Sequence, residues 1–331
     1  SGNFLPIMNL DYPLGKLCRY IDEIEDIDVR NIAAGEYYYF TGLLKDATII
    51  SEPYLDSENR VNRLSAAMAC VFANLCRNHL HLSYFAANVV KKEFNNAFNN
   101  NALDEYKAMT VLAAMTFKMQ FNIPIDNVPP IDGYIKYLQD GTKLFGYYLM
   151  AYRAFIEKDY NRSLGIIDAA VNYNAVVYPV PLIYLYILGS INKISMKKID
   201  DAIVYIDKAW NLAKPDEMYM LFVEHYNFLQ GMAEVHLKKV HPDDYVKVVN
   251  ASKEYNDGWF KIHNYKNKSD VATNLTPKEF TVAMLYSRNW GAKEIAAHMG
   301  LSERTIMNYI QIVYEKLHIN SKKDLNKYIL S

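Results

Sequence analysis

Three cysteines, Cys18, Cys70 and Cys76, are too few and too irregularly spaced for a disulfide framework. A reducing, cytoplasmic setting is the expectation that follows. Glycine and proline are sparse as well, at 13 and 11 in 331 residues, so little interrupts helical periodicity. No long run alternates with the period of two that marks a half-buried strand. The longest apolar stretch, residues 178–191, contains Pro179 and Pro181 and is shorter than the roughly 20 residues a bilayer span needs. No basic-then-apolar leader opens the chain, so neither secretion nor membrane insertion is expected. The chain begins with Ser1-Gly2 in place of a methionine, which leaves open a further N-terminal domain. Net charge is lacking too: 36 basic against 37 acidic side chains give −1, which excludes a protein that coats nucleic acid over its whole surface.

The signatures of catalysis and cofactor binding are missing. No glycine-rich loop ends in Gly-Lys-Ser or Gly-Lys-Thr, and Gly141-Thr142-Lys143 lacks the preceding glycine spacing. Cys70, Cys76, His79 and His81 lie close together but not at a structural zinc spacing. Cys70 sits among Ala66, Ala67, Val71 and Phe72, where a free cysteine behaves as a small hydrophobe. The 28 tyrosines read as helix-packing residues with wet hydroxyls rather than as a cofactor box. No acid–base or nucleophile constellation is visible, so the expectation is a non-enzyme without metal or cofactor.

What is present is a soluble, helical chain. Hydrophobic content of 51% and charged content of 22% are ordinary for globular proteins, and the length calls for two or more folding units. Some nine or ten helical segments are expected between residues 31 and 263. Their breakers are Glu52-Pro53, the asparagine-rich residues 95–101, Pro129-Pro130, residues 178–181 and His241-Pro242. Two stretches resemble each other: Lys158-Asp159-Tyr160 leads to Ser163, Ile167 and Ala170, and Lys198-Ile199 leads to Ala202, Ile206 and Ala209. Small or apolar residues at these steps let antiparallel helices approach closely, as in tetratricopeptide-like repeats. The offset from Ser163 to Ala202 is 39 residues, longer than the usual repeat of about 34, and an irregular helical bundle is the alternative. Residues 266–274, KNKSDVATN, are polar and aperiodic and read as a linker. The expected division is a helical body over residues 1–265, the linker, and a tail over residues 275–331. From Thr273 to the end, eight basic and five acidic side chains give +3, which suits a local nucleic-acid contact.

The tail carries the most specific signals. Thr276-Pro277-Lys278-Glu279 places an N-cap threonine, a proline at the first helical position and a glutamate at the third, a capping box. Phe280, Ala283 and Met284 mark one face of a first helix, which Asn289 can stop in a left-handed conformation. Residues 292–299 form a second helix with Ile295, Ala296 and Met299 inward. Gly300 makes a tight turn, and Ser302 caps a third helix with Glu303 in its first turn. On that helix Ile306, Ile310, Val313 and Leu317 share a stripe about 60° wide, while Arg304, Asn308 and Gln311 fall opposite with Met307 beside them. Ser321 and Asp324 start a fourth helix with Leu325, Tyr328 and Ile329 as its apolar stripe. A short helix, a tight turn and a longer helix with a polar outer face is a helix-turn-helix arrangement, whose second helix enters the major groove.

This tail resembles the C-terminal domain of LuxR-type regulators. The matching blocks are Leu275 through Glu279, Lys293 through Ala296, Ser302 through Ile306, and Lys316-Leu317. They cover about 55 residues, and the fold they imply is all-α: a tetratricopeptide-like helical array or bundle followed by a four-helix LuxR-type helix-turn-helix domain. The resemblance implies that Arg304, Met307, Asn308 and Gln311 face the bases, and that Thr305, Tyr309, Lys293 and Lys316 touch phosphate. It also implies that Leu325, Tyr328 and Ile329 pair two copies across a two-fold axis. The partners it implies are double-stranded DNA with a palindromic operator, RNA polymerase, and an unknown small-molecule or protein effector of the body. Met307 stands where the family usually has a basic residue, Tyr309 where it has histidine, and His318 and Asn289 where it has glycine. The body does not resemble the acyl-homoserine-lactone sensing domain. Its architecture is closer to the C-terminal half of maltose-activator-type regulators. The competing function is a helical-repeat interaction scaffold whose tail binds DNA weakly or not at all.

Overall fold

The computed structural model describes residues 3–121, 125–173, 176–267 and 275–329, and every regular element among them is a helix. The body opens with a 3-10 turn at Pro6–Asn9, then α1 Leu17–Asp22, α2 Ile27–Phe40, α3 Leu44–Ser51, α4 Arg60–Cys76, α5 Leu80–Asn99 and α6 Asp104–Phe121. It continues with α7 Asp140–Ile156, α8 Tyr160–Tyr173, α9 Pro179–Ser195, α10 Ile199–Ala213, α11 Met220–Glu224 and α12 Tyr226–Met232. After a π-helical turn at Ala233–Leu237 come α13 Lys238–Val240 and α14 Pro242–Asn267. The tail is α15 Pro277–Ser287, α16 Ala292–Met299, α17 Glu303–Lys316 and α18 Lys322–Ile329. α14 ends at Asn267, two residues into the expected linker, and the rest of that linker lies outside the described residues.

One local device builds much of this. At Gly42, Asn78, Asn101, Lys158, Lys197, Asn289 and His318 the backbone turns left-handed directly after a helix. In each case the next residue's N–H reaches back five residues, as from Asp159 to the Ala154 carbonyl and from Lys198 to the Lys193 carbonyl, both at 2.9 Å. This is the Schellman closure, which satisfies orphan carbonyls and folds the chain back on itself. Gly300 closes α16 in the same way, so glycine serves at only two of the eight and most of these turns are silent in composition. The asparagine-rich segment expected as a break is mostly helical: α5 runs to Asn99, and only Asn101 turns.

The two similar stretches form the second helices of the hairpins α7–α8 and α9–α10. Ser163, Ile167, Ala202, Ile206 and Ala209 are all 0% exposed and Ala170 is 4% exposed, so the small side chains do admit a close neighbour. Ser163 Oγ donates to the Ala151 carbonyl at 2.8 Å, and Ser190 Oγ donates to the Ala202 carbonyl at 2.9 Å. A Cβ on Gly258 of α14 would lie 2.0 Å from the Leu75 carbonyl oxygen, so that glycine is what brings α14 onto α4.

The N-terminal segment is sewn through the middle of the body. Phe4, Leu5, Ile7 and Met8 are at most 5% exposed. Leu5 N–H donates to Ser65 Oγ at 3.1 Å, and Ile7 N–H donates to Glu36 Oε2 at 3.0 Å. Farther along, Gly15 and Leu17 N–H groups donate to the two carboxylate oxygens of Asp216, at 2.8 and 3.0 Å. Cys70 and Cys76 are buried and free, as the apolar reading expects, and Cys18 is exposed. Burial pushes the Cys70 thiol up to about 12. Among the described residues no helix is long and apolar enough to cross a membrane.

Candidate nucleic-acid interface

The tail assembles from its caps outward. Thr276 Oγ1 accepts from Glu279 N–H at 3.3 Å while the Glu279 carboxylate accepts from Thr276 N–H at 2.7 Å, a reciprocal capping box with Pro277 at the first position. Asn289 ends the helix at φ 65°. Gly300 closes α16 at φ 64°, and a Cβ there would meet nothing, so the backbone angle rather than space calls for glycine. Ser302 Oγ accepts from Thr305 N–H at 3.1 Å and starts α17. On α16, Ile295 and Ala296 are buried as expected. Met299 is partly buried and packs against the core, and His298 is buried as well, with its ring edge against Trp290 at 5.3 Å. Burial pushes the His298 imidazole below its ordinary range. Ala283 and Met284 are buried on α15; the Phe280 side chain lies outside the described residues.

α17 divides its faces sharply. Ile306 and Val313 are 0% exposed and Ile310 is 6% exposed. Arg304, Asn308 and Gln311 are exposed on the other side, and Met307 is 53% exposed beside them. Gln311 Nε2 donates to Glu315 Oε1 at 3.1 Å, a contact a base edge can replace. The structure therefore gathers the four expected base-facing residues on one solvent-facing surface. Lys293 is exposed on α16. Thr305 and Tyr309 are half-buried, with the Thr305 hydroxyl 2.8 Å from Ser302 Oγ and the Tyr309 ring packed on the core.

Two expected site residues make contacts within the tail itself. Lys316 Nζ lies 3.0 and 2.8 Å from the two oxygens of Glu279, tying the end of α17 to the start of α15. Burial alone would raise the Glu279 carboxyl, but Lys316 and the Thr276 donors outweigh it and hold the group below the usual carboxylate range. Lys316 is thus a corner brace before it is a phosphate contact. Leu325, expected to face a second copy, is 1% exposed and packs with Ala283, Val313, Leu317 and Ile319 in the tail's own small core. A helix this short turns its best apolar residue toward the nearest core. The side chains of Tyr328 and Ile329 lie outside the described residues.

Residues that sequence reasoning missed sit where the tail meets the body. The apolar core runs without a break into Val282, Leu285, Trp290, Ile295, Ile306 and Ile310 of the tail, with α15 packed on α12. Arg288, at the end of α15, is 7% exposed. Its guanidinium lies 5.2 Å from the Phe155 ring centre and 5.1 Å from that of Phe228, and none of its nitrogens has a hydrogen-bond partner among the described residues. Burial pulls Arg288 down to about 10. At the rim of the joint, Lys197 Nζ pairs with Glu294 Oε1 at 2.6 Å. These contacts join positions far apart in the chain, and no local pattern announces them.

Residues 273–329 match the family described as bacterial regulatory proteins, luxR family. No curated protein and no solved structure matches the chain. The tail is therefore a LuxR-family helix-turn-helix domain at the C-terminal end of an all-helical chain, and such a domain supports a DNA-binding transcription regulator.

Proposed function

Starting from the LuxR-family domain of residues 273–329, we propose that this protein is a sequence-specific DNA-binding transcriptional regulator whose helical body takes an effector. The observation that carries the reading is the outer face of α17, where Arg304, Asn308 and Gln311 stand exposed in front of a closed apolar face. Arginine pairs with guanine and asparagine or glutamine with adenine, each good bidentate contact giving about 1–3 kcal/mol of discrimination. Met307 adds an apolar contact suited to a thymine methyl. Lys293, with Thr305 and Tyr309 at the margin, meets phosphate, and with Lys316 engaged by Glu279 Lys293 takes the larger share.

Two copies meet on a palindromic operator. Since Leu325 is committed to the core, Tyr328 and Ile329 are the candidate contacts between copies. The setting proposed is the cytoplasm, with RNA polymerase as the downstream partner. The body far exceeds what is needed to hold a tail of this size, and helical arrays present concave surfaces to ligands and peptides, which supports effector binding there. The tetratricopeptide-like character of α7–α10 belongs to the same proposal.

The test is a set of titrations on operator and scrambled DNA at two salt concentrations, with the operator found by genome-wide footprinting. Asn308→Ala and Gln311→Ala are each expected to lower operator affinity about ten-fold with scrambled-DNA affinity and melting temperature unchanged. Lys293→Ala is expected to weaken both DNAs alike and to flatten the salt dependence. An operator-to-scrambled ratio untouched by both α17 variants would remove base reading from this face, and salt-independent or absent binding would favour the scaffold reading.

A further inference from the structure

A cavity of about 40 Å³, partly open, lies in the body where the N-terminal segment meets α2, α4, α6, α7 and α9. At about 10–15 Å³ per water-sized sphere it holds roughly three. Its wall is unusual in composition. Five aromatic rings line it, those of Tyr39, Phe40, Phe72, Phe145 and Tyr184, and Glu36 supplies a carboxyl. Leu5 and Met8 close the side toward the N-terminal segment, with Met68 opposite. The rings brace one another: Tyr39 stands 5.4 Å from Phe72, and Phe145 meets Tyr184 edge-on at 5.0 Å.

Glu36 is 4% exposed. One oxygen, Oε2, accepts from Ile7 N–H at 3.0 Å, while Oε1 is buried with no hydrogen-bond partner. A buried acceptor left unmatched costs about 1–3 kcal/mol, so a group held here without partner points to something that the site receives. The two tyrosines are polarised from behind. Tyr39 Oη donates to Glu224 Oε1 at 2.6 Å, and Tyr184 Oη donates to the two oxygens of Glu224 at 3.1 and 2.9 Å. Burial pushes the Glu224 carboxyl up to about 8; as it ionises toward that pH, the phenols that give it their hydrogens gain more electron-rich ring faces, and ring faces attract cations. Thr116, also in the wall, has its hydroxyl turned to the Leu112 carbonyl at 2.8 Å and offers the cavity no donor.

We infer that this cavity is a binding site for a small alkylammonium group, held by the Glu36 carboxylate and caged by the ring faces of Tyr39, Phe72, Phe145 and Tyr184. The chemistry selects this class over the others. An anion would face a carboxyl and π faces, both repulsive to it. A purely apolar guest would leave Glu36 Oε1 unmatched. An ammonium satisfies the carboxylate with its N–H groups and the rings with its charge and methylenes. Burial pushes the Glu36 carboxyl up to about 8 in the empty cavity, so below that pH an arriving cation displaces a proton from Glu36 to solvent, and binding strengthens as pH rises toward 8. The inference rests on the proposal that the body takes an effector, and it names the effector's chemistry.

The test uses the full chain without DNA, so its failure leaves the reading of α17 untouched. The probes are methylammonium and ethylammonium chloride, against sodium chloride of equal ionic strength and against ethanol. Saturation-transfer NMR is expected to show magnetisation passing from the protein to the methyl protons of both ammonium probes, with a saturable rise in melting temperature of about 2 °C. Glu36→Gln, which keeps shape and removes the ionisable group, is expected to abolish both effects. Phe72→Leu, which removes a cage ring while leaving Glu36, is expected to weaken them at least five-fold, and it carries the test alone if Glu36→Gln does not fold. No saturable signal from either ammonium ion, an equal signal from ethanol, or a signal retained in the folded variants would show a cavity that holds water only.

Discussion

Arg288 and Lys316 are both cations in the tail, and their surroundings give them opposite value. Lys316 meets a carboxylate with good geometry and is one-third exposed. Lys316→Met strands the 8%-exposed Glu279 carboxylate, and the loss of tail stability is expected to be about 1–2 kcal/mol, read as urea unfolding by tyrosine and tryptophan fluorescence. Because the folded Glu279 carboxyl titrates below its unfolded value, the pair's contribution is complete above the unfolded range. It is lost as pH falls from the ordinary glutamate range downward through the lowered folded one. The wild-type tail should therefore lose this stability on acidification while Lys316→Met has none of it to lose; identical acid profiles would sink the assignment. Arg288 is buried with no hydrogen-bond partner among the described residues, and the ring faces of Phe155 and Phe228 offset part of that burial. An apolar side chain of similar length removes the desolvation cost. Arg288→Met is expected to raise the melting temperature or leave it unchanged in calorimetry. A fall of more than about 3 °C, roughly 1 kcal/mol in a chain this long, would mean that the cation–ring contacts outweigh desolvation.

At the scale of elements, the left-handed turns make a prediction of their own. His318 adopts φ 51° after α17, a conformation that costs an L side chain on the order of 1 kcal/mol and a glycine almost nothing. His318→Gly is expected to stabilise the tail by about 0.5–1 kcal/mol, and Asn289→Gly to change little because asparagine tolerates the angle. A destabilised His318→Gly would show that the side chain is held by something stronger than strain. The tail was legible from sequence because its devices are local: Thr276 and Glu279 are three residues apart, Gly300 and Ser302 two, and the stripe from Ile306 to Val313 is a simple period. The hairpins of the body were half legible, since Lys158 and Lys197 turn chains as glycine does without advertising it. Lys316 with Glu279, 37 residues away, was beyond reach, because a lone lysine near a recognition helix and a lysine brace have the same local sequence. Leu325 failed for the same reason: a short amphipathic helix states that it has an apolar face, and only the fold states what covers it.

For the molecule as a whole, the continuous core is the governing fact. Val282, Leu285 and Trp290 of the tail share one apolar cluster with the body, with Arg288 and the Lys197–Glu294 pair at the same joint. Body and tail are therefore expected to melt in one calorimetric transition, and two separated transitions would show that the joint contributes little. The exposed Lys197–Glu294 pair should show little coupling in a double-mutant cycle, since solvent screens it, leaving the apolar contact to carry the joint. The same continuity limits what sequence could give, for two domains that look separable by composition share an interior that only distant residues create.

The N-terminal segment has a consequence in time. Its anchor at Gly15 and Leu17 is Asp216, and Tyr12 reaches Met218, some 200 positions later. A ribosome adding about 5–20 residues per second needs on the order of ten to forty seconds to supply that partner. The hairpins close as they emerge, since each joins near neighbours, but the stretch from Tyr12 to Leu17 waits for partners made some 200 residues later. Until then Tyr12, 4% exposed in the folded chain, and the Gly15 and Leu17 N–H groups lack these partners, and this is the window in which a chaperone that holds unfinished stretches would engage them.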